Sequence, residues 1–112
     1  VVSETRFKSL KLHESLLRQL DYLGFSDCTP IQALAVPKAL NGRRDALLRA
    51  PTGSGKTLAF LLPVLHQLLT VPGGLDRRKG TLATILSPTK ELALQTLKVA
   101  SDLSRMVPSL VC

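Results

Sequence analysis

A short glycine-rich run near the middle of the chain has the residue types that bind phosphate groups. The run reads Ala50-Pro51-Thr52-Gly53-Ser54-Gly55-Lys56-Thr57. Glycine lets backbone N–H groups turn toward an anion, a lysine amine reaches outer phosphates, and a threonine hydroxyl can hold Mg²⁺. The run therefore predicts a site for the phosphates of a nucleotide and its magnesium ion, with Lys56 and Thr57 as the residues closest to the chemistry.

The segments on either side of this run have the properties that such a loop requires. Asp45 to Arg49 is short and mostly apolar, which favours a strand, and Leu58 to Leu69 favours a buried helix. A helix that begins directly after the loop adds the positive end of its dipole to the phosphate site. Pro63 removes one backbone hydrogen bond inside that helix, so we expect a kink or a local break there.

The remaining pattern alternates helices with strands. Leucines at helical spacing predict a helix over Leu12 to Leu23, and Thr29-Pro30 predicts the start of a second helix that ends at Asn41-Gly42. The later segments are a charged, glycine-rich loop over 71–80, a buried strand over 81–86, a helix capped by Ser87 or Thr89 that reaches about Met106, and the start of a strand over 109–112. This alternation predicts an α/β fold with a parallel sheet.

The composition favours a globular protein with an anionic partner. Of 112 residues, 45% are hydrophobic, and the formal net charge is +7. A basic balance of this size is typical of nucleic-acid binding, although a basic surface that only aids solubility remains the alternative. The two cysteines, Cys28 and Cys112, lack the spacing of metal ligands and suggest packing roles in a reducing compartment. No apolar run is long enough to predict a membrane span.

The segment Gly24-Phe25-Ser26-Asp27-Cys28-Thr29-Pro30-Ile31-Gln32 carries a resemblance to a known family. The amide of Gln32 can donate to one adenine edge atom and accept from another, which would select ATP over GTP. The segment resembles the Q motif of DEAD-box RNA helicases. In that family an upstream aromatic packs on adenine and the glutamine reads its edge, and Phe7 and Gln32 stand at the matching positions. Cys28 departs from the family, where proline is common.

Two further motifs support the same resemblance. The run from Ala50 to Thr57 is similar to the family's phosphate loop, which commonly begins with alanine. This implies that all eight residues contact ATP, that Lys56 reaches the outer phosphates, and that Thr57 holds Mg²⁺ through its hydroxyl. Ser87 to Gln95 resembles a segment that touches the RNA backbone, and the resemblance implies RNA contacts from Pro88, Thr89 and Lys90. Lys90 stands where the family has arginine, which loses the two-pronged donor.

The resemblance implies a P-loop NTPase with a RecA-like parallel sheet and flanking helices, incomplete in this chain. Residues 1–42 would form the helical Q-motif region and residues 43–112 the first half of the ATP-binding domain. The implied function is that of an intracellular ATP-dependent RNA helicase with ATP and Mg²⁺ as cofactors. Its implied partners are RNA and protein cofactors or a larger ribonucleoprotein assembly, with no membrane; cytoplasm, nucleus and organelle stay open. The family's Asp-Glu-Ala-Asp box and second domain are not among these residues, so the fragment alone is not expected to unwind RNA.

Two other functions stay open at this point. The chain could belong to a catalytically inactive, helicase-derived subunit that binds RNA or serves in assembly, or to another P-loop ATPase. Phe7 and Gln32 argue against the latter. In this class of sheet the two predicted strands would not be full neighbours, so we expect the isolated fragment to be insoluble or molten. The basic runs Arg43-Arg44 and Arg77-Arg78-Lys79 are either solvated or in contact with RNA.

Overall fold

Helices dominate the part of the chain that the structure describes. The structure is a computed structural model, and it describes residues 6–42, 45–105, 107, 110 and 112. Within these ranges it contains four α-helices, namely α1 (Glu14–Tyr22), α2 (Pro30–Asn41), α3 (Lys56–Leu69) and α4 (Lys90–Ser104). Short 3₁₀ turns at Phe7–Ser9 and Arg77–Lys79 precede α1 and α4. No helix in the described ranges is long and apolar enough to cross a bilayer.

Both ends of α2 and the start of α4 lie where the sequence predicts them. Thr29 is the N-cap of α2, Pro30 is its first residue, and the Gly42 N–H closes the helix on the Lys38 carbonyl at 3.1 Å. Of the two candidate caps for α4, the structure selects Thr89, whose Oγ1 accepts from the Leu92 N–H at 3.2 Å. Local capping chemistry was therefore sufficient to locate these helix starts.

The start of α1 differs from the prediction because a histidine caps it. The helix begins at Glu14, and the Nδ1 atom of His13 accepts a hydrogen bond from the Ser15 N–H at 3.2 Å. Leu16 and Leu20 face the core together with Gln19, a polar residue on the same buried stripe. Gln19 satisfies its amide by donating to the Asp102 carbonyl at 2.7 Å, which ties α1 to α4.

One core connects all four helices. Leu20, Val36, Leu62 and Leu103, which come from α1, α2, α3 and α4 respectively, are each at most 1% exposed. Cys28 is also fully buried in this cluster, and burial, followed by the negative charge of Asp27, raises the pKa of its thiol to about 11. The side chain therefore stays a neutral thiol and acts as a small apolar residue in the core.

Of the two outcomes predicted at Pro63, a kink or a local break, the break does not occur, because α3 runs through Pro63 without interruption. The helix begins at Lys56, two residues earlier than predicted, and ends at Leu69 with Pro63 buried in its middle. Pro63 lacks the N–H that would bond four residues back, but leucines on both sides are buried against the neighbouring helices. Tertiary packing outweighs the local cost of the proline here.

The two predicted strands do not form a hydrogen-bonded ladder in the described residues. Segment 81–86 was expected to be buried, yet all six of its residues are exposed, and Leu86 is 91% exposed. In segment 45–49, Leu47 is 95% exposed. The physical reason is that a strand needs a neighbour for its backbone N–H and C=O groups, and the described part of the chain places none beside either segment.

Some predicted features lie outside the described residues. Arg43 and Arg44 are among them, so the turn before the first predicted strand is not described. The same holds for Met106, the predicted end of the last helix, and for Ser109 and Val111 in the strand predicted over 109–112.

Candidate functional site

The glycine-rich run forms a turn that leads directly into the N-terminus of α3. Gly53 and Gly55 have φ angles of 79° and 84°, in the left-handed region that glycine adopts without strain. The Ser54 N–H donates to the Pro51 carbonyl at 3.3 Å, and the first helical bond runs from Ala59 N–H to the Gly55 carbonyl at 3.2 Å. The N–H groups of the first turn of α3 therefore precede any intrahelical bond and are available to an anion.

The N-terminus of α2 touches this loop at Gly55. A β-carbon built on Gly55 would lie 2.4 Å from Nε2 of Gln32 and 3.1 Å from Oγ1 of Thr29. Gln32 uses the same Nε2 atom to donate to the Gly55 carbonyl at 3.1 Å, and its Oε1 accepts from the Thr29 N–H at 2.9 Å. Glycine is required at position 55 both for its backbone angle and for this close approach.

Gln32 thus joins α2 to the phosphate loop, a contact that sequence reasoning missed. Its side chain is 3% exposed, and each of its two polar atoms makes one hydrogen bond within the chain. The amide still has one N–H and one lone pair unused. The spacing of Thr29 and Gln32 is that of a capping box, and this signal could have indicated an internal role for the glutamine.

Phe7, the predicted adenine-stacking residue, is enclosed by the protein. Its ring is 2% exposed and packs edge-to-face on Phe25, with 6.3 Å between ring centroids. The Phe7 N–H donates to the Ser26 carbonyl at 3.0 Å, beside an antiparallel bridge between Arg6 and Asp27. In this conformation the N-terminal segment is fastened to the Q-motif segment, and the Phe7 ring does not present an open face to a base.

Two hydroxyl oxygens beside the loop are buried and make no hydrogen bond to the described residues. They are Oγ1 of Thr29 and Oγ of Ser54. Buried polar atoms are nearly always paired, so two orphans at one loop indicate that a polar ligand or water completes the site. Lys56, the first residue of α3, is exposed, and Thr57 is partly buried. Hydroxyls, free N–H groups and a lysine form a donor set that fits a nucleotide's phosphates and Mg²⁺.

The candidate RNA contacts lie at the N-terminus of α4. Pro88, Thr89 and Lys90 are all exposed. Thr89 Oγ1 is occupied as an acceptor by the Leu92 N–H, but the hydroxyl proton stays available to a phosphate oxygen. Lys90 is the first residue of the helix, so its ammonium group adds to the positive end of the dipole.

Two residues of the basic run, Arg78 and Lys79, make contacts within the 71–80 loop. Arg78 pairs with Asp76 at 2.9 Å, and Nζ of Lys79 donates to the carbonyls of Pro72 at 3.1 Å and Gly74 at 2.6 Å. The hydrogen bonds from Arg78 lower the pKa of the Asp76 carboxyl below its usual value. These contacts organise the loop and reduce the charge that it offers to RNA.

An open apolar groove lies between α3, segment 81–86 and α4. It has a volume of about 640 Å³, and its walls include Leu61, Leu65, Leu68, Leu82, Ile85 and Leu97. Its wall includes residues of segment 81–86, one of the two predicted strands. The groove is separate from the phosphate loop, since none of residues 50–57 lines it.

Comparison with known proteins identifies the family. The model of the DEAD/DEAH box helicases matches residues 29–111, and the chain belongs to this family. RhlB of Photorhabdus laumondii, an ATP-dependent RNA helicase, is 45% identical over 105 residues, which cover 93% of this chain and 24% of RhlB. These matches confirm the DEAD-box resemblance that the three motifs predicted.

Solved structures agree with the predicted fold. The RNA helicase Prp28 of Chaetomium thermophilum bound to ADP matches with a TM-score of 0.80 at 34% identity, over 96% of this chain and 25% of Prp28. Saccharomyces cerevisiae Dbp5 bound to Gle1 and IP6 matches with a TM-score of 0.75 at 29% identity, over 94% of this chain and 26% of Dbp5. The RecA-like P-loop fold is confirmed, and the chain spans about a quarter of the length of these relatives.

Proposed function

We propose that this chain is the part of an ATP-dependent RNA helicase that binds the adenine and the phosphates of ATP. One observation carries the proposal: Gln32 of the Q motif donates directly to the carbonyl of Gly55 in the phosphate loop. The two motifs that would hold opposite ends of ATP are thereby joined, although 23 residues separate them in the chain. Relatives named as ATP-dependent RNA helicases support the assignment and do not favour the non-catalytic scaffold.

The phosphate end of the proposed site consists of the loop and the start of α3. N–H groups from Gly53 to Thr57 surround the anion, and the exposed Lys56 ammonium contacts the outer phosphates. Ser54 Oγ gains the partner that it lacks in the described residues. The Thr57 hydroxyl is the proposed protein ligand of Mg²⁺, which supplies positive charge against the phosphate oxygens.

The adenine end of the proposed site requires local adjustment. Gln32 and Phe7 are both nearly fully buried, so a base can reach them only if neighbouring side chains move. Gln32 retains one N–H and one lone pair with which it can read the adenine edge while it keeps its bonds to Thr29 and Gly55. Phe7 is the proposed stacking partner, and Phe25, which is 43% exposed, is the side chain whose displacement would uncover it.

The proposed RNA contact is the N-terminus of α4. The Thr89 hydroxyl, the free N–H groups and Lys90 can hold one backbone phosphate without reading sequence. ATP binding at the loop and RNA binding at α4 would then act on one shared core, because α1 and α3 both contact α4. A protein cofactor, of the kind that Gle1 represents for Dbp5, is a further proposed partner.

Lys56→Ala in the intact protein tests the phosphate site. In the unmutated protein, Mg-ATP at 100 times its Kd should stabilise the fold by about 2.7 kcal/mol, measured as a thermal shift. We expect the variant to lose this shift, whereas Lys98→Ala, which removes an exposed lysine in the middle of α4, should keep it. An unchanged shift in Lys56→Ala would remove the assignment.

Gln32→Ala separates base recognition from loop positioning. If the glutamine only reads adenine, the variant should lose affinity for ATP and lose its preference over GTP, but should bind tripolyphosphate as before. If its hydrogen bond to Gly55 also shapes the loop, the variant should bind tripolyphosphate more weakly as well. Equal binding of ATP and GTP by the unmutated protein would contradict the adenine-reading role.

A further inference from the structure

Two histidines connect the N-terminal segment to the helix that carries the phosphate loop. The backbone N–H of His13 donates to Nδ1 of His66 on α3 at 2.8 Å. The Nδ1 atom of His13 in turn accepts from the Ser15 N–H at 3.2 Å and caps α1. The first bond spans 53 residues, and both imidazoles are partly buried.

This arrangement is compatible with only one protonation state of each ring. Both Nδ1 atoms act as acceptors, so each imidazole must be neutral and must carry its proton on Nε2. Protonation of His66 at Nδ1 replaces the acceptor with a donor that faces the backbone N–H group of His13. The hydrogen bond is then lost and two donors are left in contact.

The surroundings of His66 contain no acid paired with it among the described residues. Three helices pack against α3, and their charged side chains are Glu14, Arg18 and Asp21 on α1, Lys38 on α2, and Lys90, Glu91, Lys98 and Asp102 on α4, which Arg105 follows directly. Of these, Glu14 pairs with Arg18, and Asp102 pairs with Arg105. Burial, followed by repulsion from a charged His13, lowers the pKa of His66.

We propose that the His13–His66 contact is a pH-sensitive link, closed when the His66 imidazole is neutral and open when it is protonated, because the acceptor in this link is Nδ1 of His66. The closed link fastens residues 6–13 and the start of α1 onto α3. This segment carries Phe7, Leu10 and Leu12, which are buried in the common core. Opening the link therefore weakens the hold on the segment that carries the proposed adenine-stacking residue.

The direction of the pH effect follows from the lowered pKa of His66. The folded state binds a proton on this ring less readily than the unfolded state, whose value is near 6.5. Stability from the link is therefore fully present above pH 6.5. It is lost progressively as the pH falls from there toward the lower value of the folded state.

The direct test is ¹⁵N NMR of the imidazoles in the intact protein, with the two signals assigned by their loss in single variants. At pH 7.5 we expect both rings to show the Nε2–H tautomer with an unprotonated, hydrogen-bonded Nδ1. A ring 66 that is protonated at pH 7.5, or that carries its proton on Nδ1, would overturn the proposal.

A matched pair of variants provides the second measurement. His66→Asn places an amide oxygen close to the position of Nδ1 and cannot titrate, whereas His66→Leu removes the acceptor. We expect His66→Leu to lower Tm at pH 7.5, and the unmutated protein to lose about 2–4 °C more than His66→Asn between pH 7.5 and 5.5. Identical pH profiles for the unmutated protein and His66→Asn would contradict the link, even if both fold normally.

Discussion

The helical core and the two extended segments of this chain have similar apolar sequences but opposite environments. Leu20 and Leu62 on helices are fully buried, while Leu47 and Leu86 in the predicted strands are 95% and 91% exposed. A helix closes its backbone hydrogen bonds within its own segment and needs only one covered face. A strand in a parallel sheet needs neighbours at its edges and covers on both faces, so it depends on residues far away in the chain.

The apolar groove lies where segment 81–86 lacks a neighbouring strand in the described residues. Its walls combine helical residues such as Leu61 and Leu65 with Leu82 and Ile85 from segment 81–86. The chain spans about a quarter of the length of its relatives. The difference between the two regions therefore reflects how far along the chain each kind of element must reach for its hydrogen-bond partners.

The largest predicted effect compares one leucine from each region in the intact protein. Leu62→Ala should destabilise the fold by about 2–5 kcal/mol, because it leaves a cavity in the core. If a longer chain covers the strand segments, Leu47→Ala should cost a similar amount, despite its exposure here. Denaturant unfolding measures both, with Leu34→Ala as a control at a half-exposed site on α2. A neutral Leu47→Ala would mean that this segment also lies outside the core of the intact protein.

The next effect sharpens the comparison at the loop that joins the two regions. Gly55→Ala and Gly24→Ala both force a side chain into a left-handed backbone, at a cost of about 1–2 kcal/mol each. Only the Gly55 variant also drives a methyl group against Gln32, since nothing lies within 4 Å of the position at Gly24. We expect Gly55→Ala to destabilise the protein more than Gly24→Ala does and to lower its affinity for ATP, as measured by calorimetry. Equal effects of the two variants on ATP would show that the α2–loop contact has no role in binding.

Helix-capping residues predicted where α2 and α4 begin, while contacts between residues far apart in the chain could not be predicted from the sequence. Thr29, Pro30 and Thr89 mark helix starts through bonds within four residues, so their positions could be inferred without a structure. The burial of Gln19 could not, because its partner is the carbonyl of Asp102 on another helix. The predicted burial of segment 81–86 was wrong for the same reason. Its apolar pattern is visible in the sequence, but burial depends on neighbouring strands that a local pattern does not contain.

The same limit applies to the candidate site. The order of glycines, Lys56 and Thr57 predicted the phosphate loop, and the structure forms a glycine turn directly before α3 at this place. Binding of ATP by these residues stays a prediction. The bond from Gln32 to Gly55 was missed, because adenine recognition was inferred from the chemistry of the amide alone. The enclosure of Phe7 against Phe25 was missed because a sequence position indicates that an aromatic is present and not which face it leaves open.

The smallest predicted effect concerns Thr89, where a structural role and an RNA role share one hydroxyl. Thr89→Ala removes both the cap to the Leu92 N–H and the donor to a phosphate. The variant should therefore lose about 1 kcal/mol of stability and also bind RNA more weakly. Thr89→Asp keeps a good capping acceptor but places a negative charge against the phosphate. We therefore expect Thr89→Asp to retain stability. In a fluorescence anisotropy titration it should bind RNA more weakly than Thr89→Ala does.

Thr89→Ser completes this comparison, because serine keeps both the cap and the hydroxyl proton. It should match the unmutated protein in stability and in RNA affinity. If Thr89→Asp binds RNA as well as Thr89→Ser does, the phosphate contact is absent and the hydroxyl serves α4 alone. The exposed N-terminus of α4 would then belong with the helical core, as an ordinary capped helix end, and the RNA-binding surface would have to be sought elsewhere in the intact protein.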